Sequence, residues 1–290
     1  MKPLLESEPF STVAPILKQA VTGLRAYNGT IMLLAAPSLI GALSIAPIEA
    51  ALLDLGIPYR RRFKLESPSE GSWIHVVGPA QISGPSYTTE PPRLSLETAL
   101  VDGLISSSGA SLRGPLTTVA QSHAIAQSLA PNGVRVRRLR PWLISGNWLN
   151  SALDTTYDPV FTALRDTLMD EGTISIVAMP EVSSIELSNT PWVEELALEA
   201  ISSKWPELNN EGRARALSHL MRPALSRSTP STARMEELGW HRVIGRNWDS
   251  DLASETLRAA RLWKEAPAIE ASHTLVDSLI STGRVSQTEL

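Results

Sequence analysis

Cysteine is absent from this 290-residue chain. That absence removes disulfide frameworks, thiol nucleophiles and every cysteine-ligated zinc or iron–sulfur centre. Histidine is nearly as scarce. The five present, at 75, 123, 219, 241 and 273, are too scattered for a histidine-rich metal cluster. Phenylalanine (3) and tyrosine (4) are few, so tryptophan, at 8, supplies most of the aromatic surface. Lysine is rare as well: 5 of the 26 basic residues, the other 21 being arginine. A net charge of −4 offers no blanket attraction for nucleic acid, but the charge is uneven. Residues 1–150 carry 13 basic and 9 acidic side chains, whereas 151–290 carry 13 basic and 21 acidic. What remains, 43% apolar and 19% charged, is an ordinary globular balance. It suffices for one large domain or two modest ones.

Long uninterrupted hydrophobic runs are also missing. The first residues include Glu6 and Glu8 where a secretory leader would be cationic. The longest apolar stretch, 31–55, is broken by Pro37, Gly41, Pro47, Glu49 and Asp54. Such a stretch suits a buried strand followed by a helix better than a bilayer span. The expectation is a soluble, cytoplasmic protein with no membrane segment.

The first half has an α/β rhythm. Val13, Ile16, Leu17, Val21 and Leu24 recur at helical spacing over 11–26. Ile31-Met32-Leu33-Leu34-Ala35-Ala36 reads as a strand buried on both faces. A helix to Leu55 follows, closed by Gly56, where a helix end favours a left-handed residue. Strands are expected at 57–63 and 72–77, which makes a βαβ unit and hence a parallel sheet. Residues 78–93 read as loop, 94–108 and 115–130 as helices, and 134–139 as an alternating strand. A boundary is expected near 145–160, giving an α/β domain over 1–150 and a mainly helical region over 151–290. That second region should hold a helix over 159–169, a strand over 173–178 and a helix starting at Thr190-Pro191. Further helices are expected at 210–222, 231–238, 250–265 and 268–282. The expected fold class is therefore α/β, a mainly parallel sheet flanked by helices, with a smaller and mostly helical C-terminal part.

Ligands in open α/β sheets sit at the carboxyl ends of strands, which directs attention to Ala36-Pro37-Ser38-Leu39-Ile40-Gly41. This turn lacks the three glycines of a dinucleotide fingerprint and the Gly-Lys-Ser/Thr of a P-loop. No Gly-x-Ser-x-Gly elbow and no Ser-x-x-Lys motif is present. Ser106-Ser107-Ser108-Gly109 reads as a helix terminus and turn. Asp166 and Asp170 share a helix face at i, i+4 beside Arg165, and solvated surface charge is the simpler account of them.

The run from Ile31 through Gly41, with Ala51-Leu52-Leu53-Asp54-Leu55-Gly56-Ile57-Pro58-Tyr59, resembles the first motif of the DHH phosphoesterases, the superfamily of the RecJ single-strand exonucleases. That motif is an apolar strand, Asp-x-Asp-Gly, a small-residue helix and a Leu-Gly-Ile-Pro-Tyr-like exit. Laid over it, the two metal-binding aspartates fall on Ser38 and Ile40 and the glycine on Gly41. Neither side chain replaces a carboxylate for manganese or magnesium. Gly78-Pro79 stands where a further aspartate is expected, and no Asp-His-His triplet occurs. His75 and His123 stand beside no aspartate and read as structural.

The resemblance implies a catalytically inactive scaffold of DNA replication or repair, with no metal and no cofactor. It is similar to archaeal RecJ-type proteins that attach to the GINS complex and the replicative helicase. Replisome subunits and single-stranded DNA are the implied partners. Arg60, Arg61, Arg62 and Arg138 are the candidate nucleic-acid contacts. With Lys64, Arg135, Arg137 and Arg140, on neighbouring strands flanked by Tyr59, Phe63 and Trp142, they would form a positive stripe. Protection of an edge strand by charge is the other reading. The rival function is an α/β hydrolase or nucleotide-using enzyme of the phosphoesterase class with a dispersed site. Clustering of Asp102, Asp154, Asp158 and His123 near Ser38 would favour it. Of the tryptophans, Trp240 and Trp248 flank an expected loop and are the better interface candidates.

Overall fold

The computed structural model describes residues 1–78, 82–105, 111–227 and 230–285. Its first helix, α1 (Ala14–Ala26), leads into the central strand β1 (Ile31–Ala35). Helix α2 (Leu39–Leu55) then crosses to β2 (Tyr59–Phe63), parallel to β1. Ser38 caps α2 by accepting the Gly41 N–H, and Gly56 ends it in the left-handed region at φ 68°. Residues 41–52 of α2 are buried on every side, as expected of a helix that is apolar all round.

A five-stranded sheet is ordered β2-β1-β3-β5-β4. Strands β3 (Trp73–Val76) and β5 (Arg93–Leu96) extend the parallel set, and β4 (Ser86–Thr88) runs antiparallel at the far edge. The two faces differ. Register places Leu33, Ala35, Ile74, Val76, Leu94 and Leu96 on one face, all buried beneath helices. Met32, Leu34, Arg60, Arg62, Trp73, His75, Arg93 and Ser95 share the other. There the connection between β2 and β3 crosses the sheet: Ser67 Oγ meets His75 Nδ1 at 2.9 Å, and Arg93 donates to Gly71 O at 3.0 Å and to Ser69 O. A parallel sheet normally carries helices on both faces. Here Arg60 and Arg62 remain exposed.

The hairpin β6 (Ala99–Ile105) and β7 (Ser111–Leu116) follows, then α3 (Thr118–Leu129), α4 (Val134–Leu139) and the short turns α5 (Ser145–Trp148) and α6 (Ala152–Thr155). Helix α7 (Pro159–Asp170) packs on that hairpin so closely that a Cβ on Gly103 would stand 2.6 Å from the Pro159 backbone. Strand β8 (Ile174–Val177) precedes α8 (Glu195–Lys204), α9 (Asn210–Met221) and α10 (Thr232–Gly239). Strand β9 (Arg242–Gly245) returns antiparallel to β8. Helices α11 (Leu252–Glu265) and α12 (Ala268–Thr282) complete the chain, with α12 packed against α2. One hydrophobic cluster runs from Leu4 to Val285. The fold is α/β with a mainly parallel sheet and a helical C-terminal part. Among the described residues no helix is long and apolar enough to cross a membrane.

Four local expectations are corrected. Residues 94–108 are not a helix: β5 and β6 occupy 93–96 and 99–105, because pairing with β3 and β7 outweighs local helix preference. Residues 134–139 are a helix, not a strand. The Asp54 carboxylate accepts the backbone N–H groups of Arg135 and Val136 at 3.0 and 3.3 Å, and Val136 and Leu139 are buried at helical spacing. The stretch 78–93 includes β4. Thr190 is a buried turn residue donating to Leu187 O, and the helix begins only at Glu195. Pro79 and Ser106-Ser107-Ser108-Gly109 lie outside the described residues.

Candidate functional site

The chain leaves β1 through a turn whose backbone leaves no spare room. A Cβ at Gly41 would sit 2.3 Å from Ala36 O, so glycine is required there by close approach. Ser38 Oγ accepts the Gly41 N–H at 3.1 Å. Trp263 of α11 covers the turn by donating to Pro37 O at 3.1 Å. Two of the three positions aligned with the phosphoesterase motif thus have structural work. The third, Ile40, lines a cleft of about 680 Å³ together with Thr98, Leu100, Thr117, Thr118 and Asn150. Among the described residues no charged side chain lines this cleft, although it lies where such folds bind ligands. Hard divalent cations require oxygen donors rich in carboxylate. Among the described residues no group of three or more His, Asp or Glu side chains is placed to hold a metal.

Asp102, Asp154, Asp158 and His123 are held apart by separate partners. Asp102 pairs with Arg113 at 3.6 Å, exposed on the hairpin. Asp154 accepts Arg234 Nε at 2.7 Å. Asp158 caps α7 through the N–H groups of Val160 and Phe161 and accepts Asn147 Nδ2 at 2.9 Å; burial nonetheless raises its carboxyl pKa. His123 is fully enclosed in α3. Burial, helped by the Arg140 charge, pushes its pKa down to about 3 and keeps the ring neutral. Asp166 pairs with Arg165 and Asp170 with Lys2, each at 3.3 Å.

The four candidate nucleic-acid contacts do not share one surface. Arg60 and Arg62 are exposed on the face of β2 that lacks helices, and β2 is a sheet edge. Arg61 points the other way, as strand alternation demands. It is locked to Glu49 at 3.2 Å and to Asp277 of α12 at 2.6 Å, and its Nε donates to His273 Nδ1 at 3.2 Å. Burial raises the Glu49 carboxyl pKa against the pull of Arg61 and the Tyr59 hydroxyl. Arg61 therefore clamps α12 to the sheet. Arg138 lies on α4 and donates to Ser281 O at the end of α12. The expected stripe across neighbouring strands does not form. Arg135 is paired with Asp54 and Arg140 with Glu171, both at 2.9 Å or less, and Phe63 and Trp142 are buried.

A second cleft, of about 600 Å³, was not legible in the sequence. Its walls include Arg137 and Arg138 from α4, Arg246 and Trp248 from the turn after β9, and Arg284 beyond α12. Among the described residues Glu171 is its only acidic lining residue. That carboxylate accepts Arg140 Nε at 2.8 Å, Arg140 Nη2 at 3.2 Å and the Lys2 N–H at 2.8 Å. These donors overcome burial and hold its pKa below the usual carboxylate range. The Trp248 indole lies over Gly245, where a Cβ would come within 2.6 Å of the ring, and its centroid is 5.5 Å from that of Trp142. Trp142 Nε1 in turn donates to Gly283 O at 2.9 Å, fixing the end of α12 against the cleft. Trp248 was readable as an interface candidate and Arg138 as a phosphate contact. Their meeting across 110 residues was not. Trp240, the other interface candidate, is 39% exposed.

Compared with known proteins, the chain matches no family model and no curated protein.

Proposed function

We propose that this chain is a non-catalytic scaffold of DHH/RecJ-like type acting in DNA replication or repair. The observation that carries the reading is the cleft at the carboxyl end of β1. It has the place and size of a ligand site but, among the described residues, no charged lining residue, and its motif positions are a helix cap, an aliphatic side chain and a close-approach glycine. A metal-dependent phosphoesterase needs carboxylates there to hold its ions and activate water. The proposed partners are GINS or helicase subunits and single-stranded DNA. The edge strand β2, on which Arg60 and Arg62 are exposed, offers a protein partner an accessible surface, and the two arginines also guard against non-specific strand pairing.

The test is affinity purification of the tagged full chain from its native cells, scored for replicative helicase and GINS subunits, with a parallel nuclease assay in manganese. Enrichment of those subunits with no cleavage supports the scaffold. Manganese-dependent cleavage abolished by Asp154→Ala would replace it with the enzyme reading.

A further inference from the structure

We propose that the arginine cleft between α4, the β9 turn and the end of α12 binds a nucleotide unit of single-stranded nucleic acid, its phosphates on the guanidinium groups and a base against Trp248. The proposal gives the nucleic-acid contact of the scaffold reading a place. It depends on that reading only for its biological setting.

Charge is the first argument. Most arginines in this molecule are spent on carboxylates, as Arg61, Arg135, Arg140, Arg165, Arg234 and Arg242 illustrate. The cleft gathers three that are not. Arg137 donates to the neutral Asn132 Oδ1 at 2.7 Å, Arg138 to a backbone carbonyl, and exposed Arg246 forms no ion pair among the described residues. Arg284 is neutralised by Glu255 and Asp249 and contributes shape more than charge. The one facing acid among the described residues, Glu171, is occupied by Arg140, the Thr173 hydroxyl and the Lys2 amide. Three guanidinium groups around one cavity, with no counter-charge among the described residues, repel one another and favour an anion between them. Guanidinium is also the cation best matched to phosphate, through paired N–H donors.

Shape and surface narrow the anion. A cleft of about 600 Å³ is within the range of small-molecule sites and far larger than a lone phosphate needs. Its remaining walls include an indole, Pro141, the apolar Met1 and Val134, and neutral polar side chains such as Thr173, Asn247 and Thr282. Arginine next to an aromatic face is the combination that holds a strand by backbone and base together. The indole is braced from behind by Gly245 and Trp142, so little side-chain entropy is lost on stacking.

The experiment is fluorescence anisotropy of a labelled oligothymidylate with the full chain, repeated across a salt series. Arg137→Gln with Arg246→Gln should weaken binding at least tenfold and flatten the salt dependence by roughly one to one and a half in logarithmic slope, the signature of two lost phosphate contacts. Trp248→Ala should weaken it about fivefold to a hundredfold with the salt slope unchanged, and Trp248→Phe should recover most of that loss. Arg60→Gln with Arg62→Gln should leave affinity as it is. Thermal melts of each variant verify folding. A thymidine nucleotide should compete far better than inorganic phosphate.

No binding by the wild-type chain, or loss of binding only in the Arg60/Arg62 pair, overturns the proposal. Equal competition by an acidic peptide that ignores Trp248→Ala overturns it as well, in favour of a protein ligand. Persistent capture of helicase subunits by the Arg137/Arg246 variant would separate failure of this site from failure of the scaffold role.

Discussion

Two clefts of nearly equal volume, about 680 and 600 Å³, sit in one molecule with opposite walls. The first occupies the carboxyl end of the parallel strands, the position where open α/β sheets place their ligands, and it is lined by uncharged side chains, threonines, Asn150 and Ser151 among apolar residues. The second lies away from that position, assembled by α4, the β9 turn and the end of α12, and it is lined by four arginines. Their difference teaches that place in a fold and chemistry at a site are separable. Helix α3 lines the first cleft with Thr118, and five residues on His123 is enclosed close enough to Arg140, the partner of Glu171 in the second cleft, to feel its charge.

The sharpest way to break the comparison is to ask whether the arginine cleft is only architecture. Glu171, which lines it, is 4% exposed and is paired with Arg140, 2% exposed. Arg140→Ala strands a buried carboxylate and should cost about 3–5 kcal/mol in a urea unfolding titration. Arg246→Ala, on the rim, should stay within about 0.5 kcal/mol. Equal losses would mean that the rim is structural too.

Next in size is a pH effect from α3, the helix that lines the first cleft with Thr118. His123 is neutral in the folded chain down to about pH 3, whereas in the unfolded chain it protonates near pH 6.5. The unfolded state therefore binds the extra proton. Its contribution to stability is complete above about pH 6.5 and declines as pH falls, at up to roughly 1.4 kcal/mol per pH unit. Unfolding titrations from pH 7 to 4.5 should show His123→Gln with a flatter dependence than wild type. Parallel curves would place the ring in a solvated site.

The carboxyl-edge turn gives the third test. Gly41→Ala drives a methyl group against Ala36 O and should destabilise by about 1–3 kcal/mol. The smallest effect is expected from Ser38→Asp, since aspartate caps a helix as well as serine; a change within about 0.5 kcal/mol would agree with a purely structural Ser38.

The β1–α2–β2 unit was legible because its signals are local: a continuous apolar run, a capping serine and a terminal glycine within 33 residues. Residues 134–139 misled because alternating Val and Arg also suits a helix once Asp54, distant in sequence, caps it. At the candidate sites, Ser38 and Ile40 could be read as lacking carboxylates from sequence alone. The fates of Arg61 and Arg138 could not, because their partners Asp277 and Ser281 lie 216 and 143 residues away. Charge clusters announce themselves in a sequence, but counter-charges that cancel them do not.

The central claim is that the carboxyl edge of the sheet is chemically inert. Titration of Mn²⁺ into the full chain, followed by calorimetry, tests it most directly. The account predicts no saturable heat at this site and the same outcome for Ser38→Ala. One-to-one binding that Ser38→Ala or Thr118→Val abolishes, accompanied by cleavage of a single-stranded oligonucleotide, would contradict it.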